Sequence, residues 1–403
     1  MRILAVTPQI PWPLDTGGKI RTFHLLSALA RHHEVTLCSF DTLPFTPAGP
    51  LECRLKVIER VYRPTGPISR LLALARGLPG PVPGTIQQYR SSDMAQRIAK
   101  VARTWNAGLI YLDSLHTAQY REVVPLLAAL LDEHNVEAQV WDRLAEVAAQ
   151  PPQRVLLRQQ ARLLRRHEAE RCRAVDHVLC CSREDIQQLR AMAGLPWGAQ
   201  PERFWLVPNG TDPTAFGADV APANLTGRPL VFVGSLDWAP NDDGARWFLR
   251  EIMPRVLAAV PDARLYLVGR NPGPALRREH GRNGVVVVGE VADVRPYVLA
   301  AEVIPVPLRS GGGTRLKILE ALGAGKAVVS TSIGAEGLRL TPGHEIEIAD
   351  DPDRFADKVV LLLGDDARRQ RLGEAGAATV RKSYTWETIG DELLGRLAAS
   401  ERG

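Results

Sequence analysis

Short apolar segments alternate with helical patterns twice along this chain, before and after a polar stretch at residues 211–228. Before that stretch, apolar runs predict strands at residues 3–7, 34–40, 109–112, 126–132 and 177–181. After it, they predict strands at residues 230–233, 264–268, 285–288, 303–305 and 327–330. Short apolar strands separated by helices indicate parallel sheets covered on both faces. The pattern therefore predicts two doubly wound α/β domains.

The predicted helices lie between these strands and set the expected domain boundaries. They fall at residues 18–31, 93–103 and 184–193, and then at 243–259, 294–300, 316–322, 352–363 and 366–383. Residues 42–89 are rich in proline and glycine and give no clear pattern. We expect an amino-terminal domain at 1–212, a linker at 213–228, a carboxyl-terminal domain at 229–383 and a terminal segment at 384–403. Ligands bind at the carboxyl ends of strands in such sheets, so we expect a cleft there.

Much of the positive charge is concentrated in one predicted helix. The chain has a net charge of +5, and the segment at residues 154–173 has a stripe of five arginines opposite a row of leucines: Arg154, Arg158, Arg162, Arg165 and Arg166. This amphipathic pattern predicts either a solvated outer face or a peripheral contact with anionic lipid headgroups. No aromatic-rich platform accompanies the stripe, so we do not expect nucleic-acid binding.

The amino terminus and the cysteines indicate a cytoplasmic protein. The apolar run after Arg2 is short and is followed by Pro8, which does not fit a signal peptide. No window approaches the ~20 apolar residues of a membrane span. The five cysteines are scattered without a CxxC pair, which predicts buried free thiols rather than a metal site. We expect neither a metal ion nor a cofactor.

Two glycine-containing loops are candidate phosphate sites. Gly17 and Gly18 follow the first strand, where paired glycines before a helix let backbone N–H groups approach a phosphate, although an ordinary tight turn is equally compatible. The second loop precedes the helix at 316–322 and carries three glycines and two cations. It comprises Gly311, Gly312, Gly313, Thr314, Arg315 and Lys317. Positive charge in a first helical turn is unfavourable unless an anion binds there, so we predict a diphosphate site.

An ordered set of motifs resembles glycosyltransferase family 4. They are residues 181–184 (CSRE), 208–212 (PNGTD), 233–236 (VGSL), 267–269 (LVG), 288–291 (VGEV) and 319–330 (LEALGAGKAVVS), with Trp386 in the final helix. The resemblance covers nearly the whole chain. It implies a GT-B fold of two Rossmann-like domains facing across a cleft, with the last helix crossing back to the amino-terminal domain. It also implies a retaining reaction without a metal.

The resemblance assigns roles to individual residues. Glu320 matches the glutamate that binds the nucleotide ribose, while Gly17, Gly18 and Gly234 match loops that meet the donor. His116 falls near the histidine that faces the reaction centre, although it could equally be an ordinary loop or core histidine.

The chain also departs from the family pattern. Gly312 stands where the first glutamate of a pair is expected, and Ser235 where an arginine holds the diphosphate. Arg315 and Lys317 are the predicted replacements for the lost charge, which makes them catalytic candidates.

The segment at 311–317 (GGGTRLK) resembles a bacterial subgroup of sugar transferases linked to exopolysaccharide assembly, and residues 133–137 (EHNVE) fit that subgroup. We therefore take His134 and Glu137 as candidate acceptor contacts, with a structural role for both as the alternative.

The predicted activity is transfer of a sugar from a nucleoside diphosphate to an acceptor hydroxyl, in polysaccharide or glycolipid assembly. Two alternatives remain open at this point: a nucleotide-sugar 2-epimerase of the same fold, and a non-catalytic nucleotide-sugar-binding protein. A saccharide or lipid-linked acceptor is favoured by the arginine stripe, and a soluble natural product is the alternative.

Overall fold

The computed structural model describes residues 1–42, 47–63, 82–148, 150–195, 201–217, 219–312 and 315–401. The chain divides into two compact units. The first contains Met1–Pro208 and Ile389–Gly403, and the second contains Asn209–Thr388. The stretch predicted as a linker groups with the second unit, where it contains a short 3-10 helix at Pro213–Phe216 and the start of a strand at Arg228.

The first unit is a seven-stranded parallel sheet with the strand order β3-β2-β1-β4-β5-β6-β7. The strands are β1 (Arg2–Thr7), β2 (Glu34–Asp41), β3 (Ile58–Tyr62), β4 (Leu109–Asp113), β5 (Ala128–Glu133), β6 (His177–Cys180) and β7 (Phe204–Leu206). Its helices include α1 (Gly17–Leu29), α2 (Gly84–Gln87), α3 (Ser92–Thr104), α4 (Glu137–Val147), α5 (Pro151–Ala174) and α6 (Arg183–Met192). Short 3-10 helices occur at Gly49–Arg54, Ala118–Val123 and Pro201–Arg203.

The second unit is a six-stranded parallel sheet with the order β10-β9-β8-β11-β12-β13. The strands are β8 (Arg228–Val233), β9 (Ala263–Val268), β10 (Val285–Gly289), β11 (Val303–Val306), β12 (Ala327–Ser330) and β13 (Glu347–Ile348). Its helices include α7 (Ala239–Trp247), α8 (Met253–Ala259), α9 (Pro274–Arg277), α10 (Arg295–Ala300), α11 (Leu316–Gly323), α12 (Pro352–Gly364) and α13 (Asp366–Ser383). A final helix, α14 (Trp386–Ser400), begins in this unit and belongs to the first unit from Ile389 onward.

Apolar side chains on both faces of each sheet explain why the strands are continuously hydrophobic. Ile3, Leu4, Ala5 and Val6 of β1 are all fully buried. In the second unit two separate clusters cover the two faces of the sheet, one around Phe232 and one around Val231. The two doubly wound α/β units confirm the predicted fold class, which is that of GT-B proteins.

The structure corrects several predicted boundaries. The strand predicted to begin at Leu126 begins at Ala128, because Leu126 is 97% exposed in the preceding turn. The helix predicted at 243–259 begins earlier and is interrupted by a π-helical turn at Phe248–Ile252. Pro254 lies just after that turn and lacks the N–H that a regular α-helix would use there. Residues 58–62, 204–206 and 347–348 form strands that were not predicted.

The arginine-rich segment forms the long helix α5, as predicted. Arg158, Arg162 and Arg166 are exposed, whereas Arg165 pairs with Asp142 of α4. Within the described residues, no helix is both long and apolar enough to cross a bilayer. Of the five cysteines, four are buried as expected, and Cys53 is exposed.

Candidate nucleotide-sugar site and a charged network

In the second unit, Gly234 begins the turn that follows the carboxyl end of β8. A Cβ atom added at Gly234 would lie 2.7 Å from both the Lys317 Nζ and the Asn241 Nδ2. Lys317 donates to the Asn241 Oδ1 at 2.8 Å, and Asn241 donates to the Ser235 carbonyl at 2.9 Å. The structure therefore brings together Gly234 and Lys317, which are far apart in sequence, at the sheet edge where ligands bind in this fold class.

Lys317 and Glu320 lie in the first turns of α11, one turn apart. Burial and the neighbouring Arg315 charge lower the pKa of Lys317 to about 7, against an opposing effect of Glu320. Burial raises the pKa of Glu320, and the Lys317 charge partly offsets that effect. The Glu320 carboxylate makes no hydrogen bond with any other described residue. An anion beside Lys317 would favour its charged form.

Arg315 lies within the glycine loop. Its side chain is buried, its Nη1 donates to the Gly312 carbonyl, and its guanidinium carbon lies 5.9 Å from the centre of the Trp238 ring. Gly311 has a φ of +115°, a conformation that a side chain would strain. Gly313 and Thr314, also predicted as donor contacts, lie outside the described residues. Arg315 was predicted to bring positive charge to the loop, and its side chain is hydrogen-bonded to the backbone of that loop at Gly312.

In the first unit, an aspartate lies at the carboxyl end of each of two neighbouring strands. Asp113 ends β4 and pairs in register with Asp132 of β5. Arg21 from α1 donates to both Asp132 oxygens at 2.6–3.0 Å, and Tyr111 donates to Asp132 at 2.7 Å. Burial alone would raise the pKa of Asp132, but the Arg21 charge holds it well below its usual range. The carboxylate is therefore permanently ionised.

His134 joins this network from the end of β5. Its Nε2 lies 2.9 Å from the Asp113 Oδ1 and 3.3 Å from the Asp132 Oδ2. Burial opposes protonation, yet the two carboxylates raise the pKa of His134 to about 10. The other ring nitrogen, Nδ1, would lie 3.5 Å from a Cβ added at Gly18. The structure therefore places a cationic imidazole beside the paired glycines at the start of α1.

Asp113, Asp132 and His134 could in principle hold a metal ion, since one ligand atom from each lies within 4.8 Å of the others. The Arg21 guanidinium already occupies the Asp132 oxygens and would repel a cation at that point. The donor set is thus organised as an ion-pair network, which fits a metal poorly.

His116 lies in the turn after β4. Its Nδ1 is 3.1 Å from the Ser114 Oγ, and its ring centroid is 4.8 Å from that of Tyr89. Burial, reinforced by the positive charges of His134 and Arg63, lowers the pKa of His116 to about 4. Its imidazole is therefore neutral near pH 7. Ser114 has a φ of +68°, uncommon outside glycine and often found at functional turns.

Glu137 is the first residue of α4, three positions after His134. Its backbone N–H and that of Ala138 both donate to the carboxylate of Glu168. Burial is the main cause that raises the pKa of Glu137 and also that of Glu168, the latter to about 8. The Glu168 carboxyl group thus caps the amino terminus of α4 through the backbone of Glu137.

Asn241, Arg21 and Asp113 were missed by sequence reasoning. The two strand-end aspartates could have been found, because Asp113 and Asp132 each close an apolar run in neighbouring strands. Asn241 and Arg21 carry no such signal, since each is an ordinary polar residue near a helix start.

Comparisons with known proteins agree with this geometry. Residues 227–365 match the family model described as glycosyl transferases group 1. The second unit of this chain is therefore similar to that glycosyltransferase family, in agreement with the predicted resemblance.

The chain is 29% identical over 204 residues to a phosphatidyl-myo-inositol mannosyltransferase of Mycobacterium tuberculosis, covering 47% of this chain and 52% of that protein. It is 30% identical over 166 residues to a GDP-mannose-dependent monoacylated alpha-(1-6)-phosphatidylinositol monomannoside mannosyltransferase of Corynebacterium glutamicum, covering 38% and 44%. It thus spans about half the length of these curated relatives. Anabaena HepE, solved in complex with UDP, shares the fold with a TM-score of 0.68 at 13% identity, over 99% of this chain and 100% of that one.

Proposed function

We propose that this protein is a glycosyltransferase that moves a sugar from a nucleoside-diphosphate sugar to an acceptor hydroxyl. The observation that carries this proposal is the contact of Lys317 with Asn241 beside Gly234, which has no side chain. A phosphate that approaches this turn would meet an ammonium group and no obstructing Cβ atom. The family match of the same unit and the relatives that act as mannosyltransferases support the same activity.

The proposed chemistry needs stabilisation of a leaving diphosphate. The bond from the anomeric carbon to the acceptor oxygen forms as the bond to the diphosphate breaks. The bonding electrons leave with the diphosphate, and a diphosphate oxygen takes up the proton of the acceptor hydroxyl. Lys317, once protonated, neutralises part of that charge, and Glu320 accepts hydrogen bonds from the ribose diol. Retention at the anomeric carbon is part of the proposal, following the family resemblance.

In the first unit, we assign the acceptor side to the network around His134. A cationic His134 beside Gly18 suits an anionic group, and a neutral His116 suits a contact with a hydroxyl. Both roles are proposals. The division into an acceptor-side domain of residues 1–212 and a donor-side domain of residues 229–383 is also a proposal.

A lipid-linked acceptor is the class we favour. The relatives include enzymes named for phosphatidylinositol substrates, and α5 exposes three arginines without an ion pair to any described residue: Arg158, Arg162 and Arg166. Each such charge contributes on the order of 1 kcal/mol near an anionic surface. Co-sedimentation with phosphatidylserine vesicles should fall when these three arginines become glutamine. Unchanged co-sedimentation would remove the membrane part of the proposal.

The activity is tested with a panel of nucleotide sugars, first by thermal shift and then by transfer. A donor at 100 times its dissociation constant adds about 2.7 kcal/mol of stability. Glu320→Ala should weaken donor binding, with the exposed Glu374→Ala as its matched control. His116→Ala should abolish transfer while nucleotide binding persists, with the exposed His344→Ala as control.

Three outcomes would contradict the proposal in different ways. Conversion of the donor without any acceptor would indicate an epimerase, and binding without conversion would indicate a binding protein. Undiminished transfer by both Glu320→Ala and His116→Ala would contradict the site assignment.

A further inference from the structure

Arg270, in the loop after β9, contacts Ser235. The family resemblance led us to expect an arginine at position 235. Arg270 follows β9, and its Nε donates to the Ser235 Oγ at 2.8 Å. The two residues are 35 positions apart in sequence. The guanidinium of Arg270 therefore lies beside the turn that follows β8, residues 234–236, which we call the β8 turn.

Two glycines fix this proximity. Gly269 has a φ of +153°, and a Cβ atom added there would lie 1.8 Å from the carbonyl oxygen of Gly234. Two backbone hydrogen bonds join the segments: the Gly234 N–H donates to the Val268 carbonyl at 3.0 Å, and the Leu236 N–H donates to the Arg270 carbonyl at 2.9 Å. The turns after β8 and β9 thus pack backbone against backbone, and the residue after Gly269 has a fixed place beside Ser235.

The β8 turn consequently has a cation on each side. Asn241 binds the Ser235 carbonyl and receives the Lys317 ammonium, while Arg270 binds the Ser235 hydroxyl. Asp237 is the nearby counter-charge: it accepts from the Ser235 Oγ at 2.8 Å.

We infer that Arg270 contacts the diphosphate of the donor, supplying from the β9 turn the charge that Ser235 does not. A guanidinium suits this role because its planar fork donates to phosphate oxygens in pairs. Its Nε is held by the Ser235 hydroxyl of the β8 turn, which orients the fork. This inference rests on the proposed function, since it names a further contact for the same donor.

Calorimetric titration separates a diphosphate contact from a structural role. The probes are UDP and GDP, each compared with its nucleoside, uridine and guanosine. Arg270→Gln should weaken binding of the diphosphate by about tenfold or more, because hydrogen bonds to charged groups contribute that much, and should leave nucleoside affinity unchanged. Arg264→Gln is the matched control, since Arg264 lies in β9 near its opposite end and binds the backbone there.

Equal diphosphate affinity in Arg270→Gln and the wild type would overturn the inference. An equal loss for nucleoside and diphosphate would also overturn it, because that result indicates a structural role. If Arg270→Gln fails to fold, Arg270→Lys decides: a loss confined to the diphosphate supports the contact, and unchanged affinity contradicts it. A folded wild type that binds neither UDP nor GDP, nor any nucleotide sugar of the panel, would overturn the proposed function and the inference with it.

Discussion

Binding of the donor should be coupled to protonation of Lys317. Burial and the Arg315 charge lower the pKa of Lys317 from 10.5 to about 7, so about 90% of its side chains are neutral at pH 8. A diphosphate beside the amine favours the ammonium form and raises the pKa again. We therefore expect uptake of about 0.9 proton per UDP or GDP bound at pH 8, and about 0.5 at pH 7.

Calorimetry in buffers of different ionisation enthalpy measures this uptake directly, because the slope of the observed enthalpy against the buffer enthalpy gives the number of protons. Lys317→Met should bind more weakly and show no uptake, whereas Lys382→Met, an exposed lysine at the end of α13, should behave as the wild type. Wild-type affinity should fall by a factor approaching ten per pH unit above about 7. A slope of zero in the wild type, or the same slope in Lys317→Met, would refute the reasoning.

The same pKa shift affects stability, with a definite sign. The folded state binds fewer protons than the unfolded state between pH 7 and 10.5, so the free energy of unfolding rises with pH over that range. The full shift corresponds to about 4–5 kcal/mol at most. Lys317→Met removes the titrating group, and its stability should lack this rise in denaturant titrations.

Two further substitutions test the two units separately. Gly234→Ala should weaken UDP and GDP binding in calorimetry, because the new Cβ atom would lie 2.7 Å from the Lys317 Nζ and displace the ammonium. Gly364→Ala, which has open space around it, is the control, and unchanged affinity in Gly234→Ala would contradict the site. Arg21→Met should lower the free energy of unfolding by about 3–5 kcal/mol in denaturant titrations, because it removes the guanidinium bound to the buried Asp132 carboxylate. A loss below about 1 kcal/mol would show that the network tolerates that charge.

Helix ends with strong capping signals were predictable from the sequence. α12 and α13 begin directly after Asp351 and Asp365, and each aspartate accepts a hydrogen bond from a backbone N–H three residues on. Strands of four or more apolar residues were also found, because their hydrophobicity is continuous. β7 and β13 have only three and two residues, which is too short for a period to be recognised.

The candidate site was predictable only where local sequence carries the chemistry. Gly234, Lys317 and Glu320 stand in recognisable motifs, and the structure brings the first two together. The burial of Arg315 could not be foreseen, since it depends on the Trp238 ring and the Gly312 carbonyl. The sequence shows that the arginine expected at position 235 is replaced by serine. It does not show that Arg270 lies beside Ser235, because the two residues are distant in sequence.

The position of the cations follows from how backbone and side chains divide the space at the β8 turn. A Cβ atom at Gly234 would lie 2.7 Å from Lys317 and Asn241, so this position offers only backbone. Charge enters from neighbouring elements that pack on this turn: α11 carries Lys317, and the β9 turn carries Arg270. An arginine restored at Ser235 would compete with Arg270 for the space between them. Ser235→Arg should therefore recover diphosphate affinity in an Arg270→Gln background and lower it in the wild type.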